Sequence, residues 1–234
     1  MDAEEALLAV SQAVTIAYFP EATTSRIPGH YDVSLVEGSI TTEHDVEMIK
    51  EIRSQSALLA AIGACATAGG IQALRNFKDV KEFTKIVYAK PEYISTLAAS
   101  TPISDHVKVD FELRGCPISK KHLLELVRAL LRGAQPNIRH HSVCIECKRN
   151  GTVCVMVAKQ TPCLGPVTHA GCGAICPSFN RGCYGCFGPA EDPNTAAVIR
   201  QYRELGKSGP QVREMFRNFN VWSAPFRKAQ EEAI

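Results

Sequence analysis

Eight of the ten cysteines in this 234-residue chain fall between positions 144 and 186, spaced C-x2-C-x6-C-x8-C-x8-C-x3-C-x6-C-x2-C. They divide into two fours, Cys144/Cys147/Cys154/Cys163 and Cys172/Cys176/Cys183/Cys186, each with one C-x-x-C pair and two further thiols. That division suits two four-thiolate metal sites. Disulfides belong to small secreted domains that lack a sufficient core, whereas this chain is 45% hydrophobic and shows no secretory signal. Structural zinc could use the two C-x-x-C pairs, but four thiols would then be stranded between them. Iron-sulfur clusters use all eight, and their bacterial binding pattern mixes C-x2-C and C-x3-C spacings with a Cys-Pro step such as Cys176-Pro177.

The filler residues favour the clusters. A cuboidal cluster needs backbone wrapped closely enough to aim N–H groups at its sulfurs. Gly165, Gly171, Gly173, Gly182, Gly185 and Gly188 permit that approach, and Pro162, Pro166, Pro177 and Pro189 stiffen the intervening loops. Two 4Fe-4S clusters are the expected cofactors of this stretch. Zinc is the alternative.

The rest of the chain has an ordinary globular balance. Its formal charge is +2, from 26 basic and 24 acidic residues, with no basic run interleaved with aromatics, so no nucleic-acid partner is expected. No apolar run approaches the length of a membrane span, and many free thiols without a targeting segment make a reducing cytoplasm the default location.

Residues 1–10 read as a helix entered in mid-pattern, and residues 14–19 (VTIAYF), 32–37 (DVSLVE), 58–62 (LLAAI) and 107–113 (VKVDFEL) read as strands. Thr42 is placed to cap a helix to about Ser54, with Val46, Ile49 and Ile52 inward. A second helix spans 119–132, with Leu123, Leu126, Val127, Leu130 and Leu131 on its buried stripe. Shorter helices are expected over 70–74 and 80–88, and two in the tail, over 195–205 and 210–220. Alternating strands and helices predict a parallel α/β sheet, on which function sits at the carboxyl ends of the strands. Cys65 and Cys116 fall at such ends, each in a glycine-flanked turn, and Glu37-Gly38-Ser39 ends another strand.

With these pieces in place the chain resembles the small, electron-transferring subunit of NiFe hydrogenases, most of all the cytoplasmic NAD(P)-linked group that includes the sulfhydrogenases. The resemblance is carried by Val36-Glu37-Gly38-Ser39, Gly63-Ala64-Cys65-Ala66-Thr67 with Gly69-Gly70, Arg114-Gly115-Cys116-Pro117, Pro162-Cys163-Leu164-Gly165-Pro166-Val167-Thr168 and Gly182-Cys183-Tyr184-Gly185-Cys186. It implies a flavodoxin-like α/β domain over 1–136, an irregular cysteine-rich iron-sulfur domain over 137–194, and a helical tail over 195–234. It further implies that Cys65 and Cys116 are proximal-cluster ligands, that Cys172, Cys176, Cys183 and Cys186 hold a medial cluster, and that Cys144, Cys147, Cys154 and Cys163 hold a distal one. His140 and His141 are then left without a ligand role.

The implied work is electron relay in H2 ⇌ 2H+ + 2e−, between a large subunit with a NiFe site and flavin/NAD(P)-binding and iron-sulfur subunits. Glu37 is a candidate for assisting proton movement near the proximal site. The family draws two further proximal ligands from a Gly-Cys-x-Gly-Cys turn after its first strand, and this sequence contains no such turn. As written, the chain is therefore expected to hold an incomplete proximal site and to expose a sheet edge. Two other functions compete: a zinc-binding scaffold, and a small iron-sulfur subunit related to NADH:quinone oxidoreductase.

Overall fold

The computed structural model describes residues 10–234, so the helix expected over residues 1–10 lies almost wholly outside the described residues. Three parallel strands form the sheet: β1 (Tyr31–Val36), β2 (Ser56–Ile62) and β3 (Phe111–Leu113), in the order β1-β2-β3. In register, Val33 lies beside Leu58, Leu35 beside Ala60, and Ile62 beside Leu113.

β2 carries apolar side chains on both faces because both faces are covered, as a central parallel strand requires. Leu59 and Ala61 pack with Ile49 and Ile103 on one side. Ala60 packs with Leu113, Leu126 and Ile138 on the other. The first layer is built by α1 (Glu43–Ser54), which Thr42 starts with a full capping box: its side chain accepts from the Asp45 N–H, and the Asp45 side chain accepts from the Thr42 N–H. Ile49 is buried, with Val46 and Ile52 packed around the same cluster. α2 (Gly63–Ala68) follows β2 directly, a 3-10 turn covers Ile71–Phe77, and α3 (Val80–Val87) comes next.

The second layer is α4 (Lys120–Leu131), on which Leu126 and Ala129 are buried, but Leu131 is 54% exposed. The expected stripe thus runs one residue too far: Leu130 still packs on the core, whereas Leu131, the last helical residue before the Arg132 cap, faces solvent.

Two expected strands are corrected. Residues 14–19 form no strand; only Tyr18 makes an isolated antiparallel bridge, to Arg26, and Ile16 and Tyr18 are exposed. A β-branched run becomes a strand only where a neighbour offers backbone to pair with. Residues 107–113 pair only from Phe111 onward, because the Val107 N–H turns back to the Ile103 carbonyl and the Asp110 carboxylate takes the Leu59 N–H in place of a backbone partner.

From residue 137 the chain is short helices and loops: α5 (Val143–Arg149), α6 (Val155–Lys159) and α7 (Ile175–Ser178). Three tail helices follow: α8 (Thr195–Glu204), α9 (Gly209–Met215) and α10 (Ala224–Glu232). The second is shorter than the expected 210–220, and the third is an addition to the two expected. The tail docks on the cysteine-rich stretch, where Leu164 and Val167 share a core with Val198, Tyr202, Val212, Phe216 and Phe226. The Phe216 and Phe226 rings meet edge to face at 5.6 Å.

Candidate functional site

The expected ligands sit in turns whose backbone brings thiols toward one another. Cys65 lies in the first turn of α2, at the carboxyl end of β2, and its thiol is 3.8 Å from Gln72 Oε1. Gln72 in turn donates to Ser39 Oγ at 2.6 Å, so the ends of β1 and β2 are tied together beside this cysteine. Cys116 follows β3 in a turn closed by the Gly115–Ile118 bridge. Burial raises the Cys116 pKa, and the Cys65 thiol in the same neighbourhood raises it further.

The eight clustered cysteines sort into neighbourhoods in the same way. Cys144 is pushed up to about 11 by burial, with Cys163, Cys147 and Cys154 acting beside it. Those are the other three of the first four. Cys186 is pushed up to about 11, by burial and then by Cys172 and Cys176 of the second four, and Cys116 adds to the effect. Cys183 is raised strongly by burial, with Cys163 and Cys186 beside it. Cys147 also has Cys172 for a neighbour, and Cys163 has Cys176.

The second four therefore neighbour both Cys116 and the first four, with the Cys183 N–H on Cys163 Sγ joining the two sets. Cys116 and Cys154 are exposed, whereas Cys163 and Cys183 are buried.

Backbone donors converge on these sulfurs. The Cys183 N–H donates to Cys163 Sγ at 3.1 Å, and the Gly185 N–H donates to Cys183 Sγ at 3.4 Å. The backbone N–H groups of Ile175 and Ala174 reach Cys172. A Cβ at Gly165 would stand 3.3 Å from Cys163 Sγ and 3.6 Å from Cys144 Sγ, so the missing side chain leaves open the space into which these thiols point. N–H···S donors around deprotonated thiols are what iron-sulfur ligation uses to stabilise and tune a cluster. The residues fit such a group.

All ten cysteines stand as free thiols. Among the described residues, no three His, Cys, Asp or Glu side chains converge closely enough to hold a single metal ion.

Four supporting side chains escape a reading of cysteine spacing. Glu146, between Cys144 and Cys147, accepts the N–H groups of Gly171 and Ala174 at 3.0 and 3.1 Å, clasping the loop of the second four to the helix of the first. Asn220, from the tail, donates to the carbonyls of Gly185 and Cys186. Tyr202, fully buried, lies against Cys163 and Cys183 and hydrogen-bonds the Cys163 backbone. Arg114 spans from Glu112 to the Pro189 carbonyl, fixing the end of β3 to the cysteine-rich stretch. Only Glu146 carries a sequence signal, its place between two ligands.

Glu37 does not stand alone: a hydrogen bond with Glu21, then burial, raises its pKa. His140 pairs with Glu191 at 3.1 Å, and His141 faces Arg149.

A parallel α/β sheet bearing thiols at its strand ends, joined to a thiol-lined loop region, is the architecture of an iron-sulfur subunit of an oxidoreductase. Residues 1–130 match the family described as NADH ubiquinone oxidoreductase, 20 Kd subunit, and the chain belongs to that family. Within it the chain stands with hydrogenase small subunits. It is 35% identical over 216 residues to sulfhydrogenase 2 subunit delta of Pyrococcus furiosus, covering 92% of this chain and 90% of the relative. It is 36% identical over 255 residues to a subunit of the F420-non-reducing hydrogenase vhu of Methanocaldococcus jannaschii, covering 94% and 88%. The solved structure of an NAD+-reducing NiFe-hydrogenase in the H2-reduced state shares the fold at a TM-score of 0.52 and 29% identity, over 57% of this chain and 82% of that one.

Proposed function

We propose that this chain is the electron-transferring small subunit of a NiFe hydrogenase, passing electrons between a large subunit that carries the hydrogen site and an NAD(P)-linked flavin subunit. The observation that carries the reading is that the two sets of four thiols adjoin, the Cys183 N–H donating to Cys163 Sγ at 3.1 Å and Gly165 leaving open the space beside Cys163 and Cys144. In this reading Cys172, Cys176, Cys183 and Cys186 hold one 4Fe-4S cluster, Cys144, Cys147, Cys154 and Cys163 hold another, and Cys65 and Cys116 contribute to a proximal site. Such clusters supply one-electron storage at potentials set by their surroundings.

The chain's own residues do the rest. Ligation takes thiolates, so the raised pKa values of Cys144 and Cys186 mean that cluster uptake releases protons. Once charged, the sulfurs are held by the N–H groups of Cys183, Gly185, Ile175 and Ala174. Burial of Cys163 and Cys183 keeps water from the place where the two sets meet.

We place the large subunit at the Cys65 end, where Ile71 and Leu74, and beyond them Ile86 and Val87 on α3, are exposed. Exposed apolar surface of this kind marks interaction sites when it is contiguous. The division at about residues 136 and 194 into an α/β part, a cluster-bearing part and a tail belongs to the same proposal.

The test uses the assembled complex carrying Cys172→Ser. Hydrogen–deuteron exchange, which needs only the large-subunit site, should persist while hydrogen-dependent NAD(P)+ reduction falls at least ~100-fold. Unaltered NAD(P)+ reduction would contradict the relay.

A further inference from the structure

A carboxylate stands between the two sets of four thiols, and it is placed unequally. Glu146 rises from α5 between Cys144 and Cys147 of the first four, but its oxygens face the loop of the second. Oε1 accepts the Gly171 N–H at 3.0 Å, and Oε2 accepts the Ala174 N–H at 3.1 Å. Oε2 also lies 3.9 Å from Cys172 Sγ, which donates to it as a thiol. Glu146 is half-buried and makes no ion pair among the described residues, so neither a cationic partner nor full solvation cancels its charge.

Ligation changes that contact. A Cys172 that binds metal has lost its proton, so sulfur and carboxylate become two negative groups 3.9 Å apart. Two effects then act in the same direction. The carboxylate opposes the further negative charge that arrives with an electron. It also claims the Ala174 N–H, which otherwise serves Cys172 and favours the reduced state there.

The first four are surrounded differently. Cys163 Sγ accepts the Cys183 N–H at 3.1 Å, and Lys148, four residues after Cys144 on the same helix, brings a cation to their side. On Cys147 the Glu146 charge acts after burial and three neighbouring thiols. The loop of the second four does not depend on Glu146 alone, because Asn150 at the end of the same helix donates to the Gly173 carbonyl at 2.8 Å. Removing the charge is therefore separable from moving the loop.

Resting on the relay reading, we infer that Glu146 lowers the reduction potential of the second four's cluster relative to that of the first four, biasing an electron from the second set toward the first. One electron moves: the second set's centre is oxidised, the first set's is reduced by the same electron, and no bond is made or broken. Cys116, at the end of the sheet where the large subunit is placed, neighbours the second four. The bias thus runs away from the hydrogen site.

The experiment uses the full-length chain reconstituted without oxygen and titrated with dithionite, each set's potential being read by electron paramagnetic resonance. Cys176→Ser and Cys154→Ser assign the signals to the second and first four. Glu146→Gln keeps the shape and removes the charge, and its amide oxygen can accept from Gly171 or Ala174. The second set's potential should rise relative to the first set's, with iron and sulfide per chain as in the parent. The expected rise is about tenfold in the ratio of reduced to oxidised second-set centres at a fixed applied potential, about 59 mV for a one-electron couple. Glu146→Asp, which keeps the charge, should shift less. Glu47→Gln, which removes an exposed carboxylate from α1, should leave both potentials where they are.

An unmoved second-set potential in Glu146→Gln, an equal rise in both sets, or a larger shift in Glu146→Asp overturns the inference. Loss of iron from Glu146→Gln overturns it too, because the carboxylate would then hold the loop rather than the potential. A parent that takes up iron and sulfide beside an unmoved Glu146→Gln sinks the tuning alone. A parent that takes up neither sinks the relay and this inference with it.

Discussion

At the scale of single residues, glycine is what lets the two sets of four thiols share a wall. Gly182 precedes Cys183, and its Cα faces the Pro162 carbonyl so closely that even a methyl group cannot be placed. That approach lets the Cys183 N–H reach Cys163 Sγ and the Leu164 N–H reach the Cys183 carbonyl. Gly182→Ala must push the two segments apart, because the obstructing atom is backbone and cannot rotate away. The expected outcome is loss of at least about half of the bound iron relative to the parent, read by iron and acid-labile sulfide analysis; full iron content would show that the seam tolerates separation. The cysteines and the crowd of glycines around them are legible in the sequence. What Gly182 opposes is not, because Pro162 is a neighbour only after the loop has closed. Asn220 and Tyr202 are hidden for the same reason: each reaches the thiols from a helix or turn remote in sequence.

Among the elements, Asp110 joins three at once. Its carboxylate accepts the Leu59 N–H of β2 at 2.9 Å and pairs with Arg53 from α1, just ahead of β3. The backbone donation from Leu59, then the Arg53 and Lys108 charges, lower its pKa against the effect of burial. A folded-state pKa below the unfolded value stabilises the fold above the unfolded value and is lost as pH falls through the folded one. The stability of the parent should therefore decline as pH drops below about 4, the unfolded aspartate value. Asp110→Ala should cost about 1–3 kcal/mol at neutral pH, the range for a buried donor losing its partner, and should flatten that acid limb. Urea unfolding at pH 7 and pH 3.5 checks both, and identical acid limbs would show that Asp110 does not carry the acid sensitivity.

The same residue explains why helices are more legible in this sequence than strands. α1 and α4 carry caps and periodic apolar stripes, so local signals suffice, and their ends fall at Ser54 and Leu131 against expected ends near 54 and 132. Strand length depends on the partner: the Asp110 N–H still donates to the Leu59 carbonyl, but its carboxylate takes the Leu59 N–H that a longer strand would pair with backbone. α10, whose Ser223 cap position and Pro225 near its start are a readable signal, follows a turn in which Asn218 caps the Met215 carbonyl and ends α9 early.

For the whole molecule, a covered parallel sheet presents Cys65 and Cys116 at its strand ends, and a looped region built on the tail helices carries eight thiols onward from them. No helix among the described residues is long and apolar enough to cross a membrane. The apolar residues of the tail, Met215, Phe216, Phe219 and Phe226 among them, suggest from sequence a docking against the cysteine-rich region or a partner subunit, and the first holds: the tail is the scaffold of the cysteine-rich loops, with Phe216 and Phe226 fully buried beneath Leu164. Electron relay requires those loops to hold iron and sulfide rather than isolated ions. The most direct test is the full-length chain reconstituted without oxygen and titrated with dithionite. The result expected is about eight irons and eight sulfides from the two sets of four thiols, with broad visible absorption that bleaches on reduction and a paramagnetic signal that appears with it. A colourless protein containing zinc and no acid-labile sulfide would contradict the central claim.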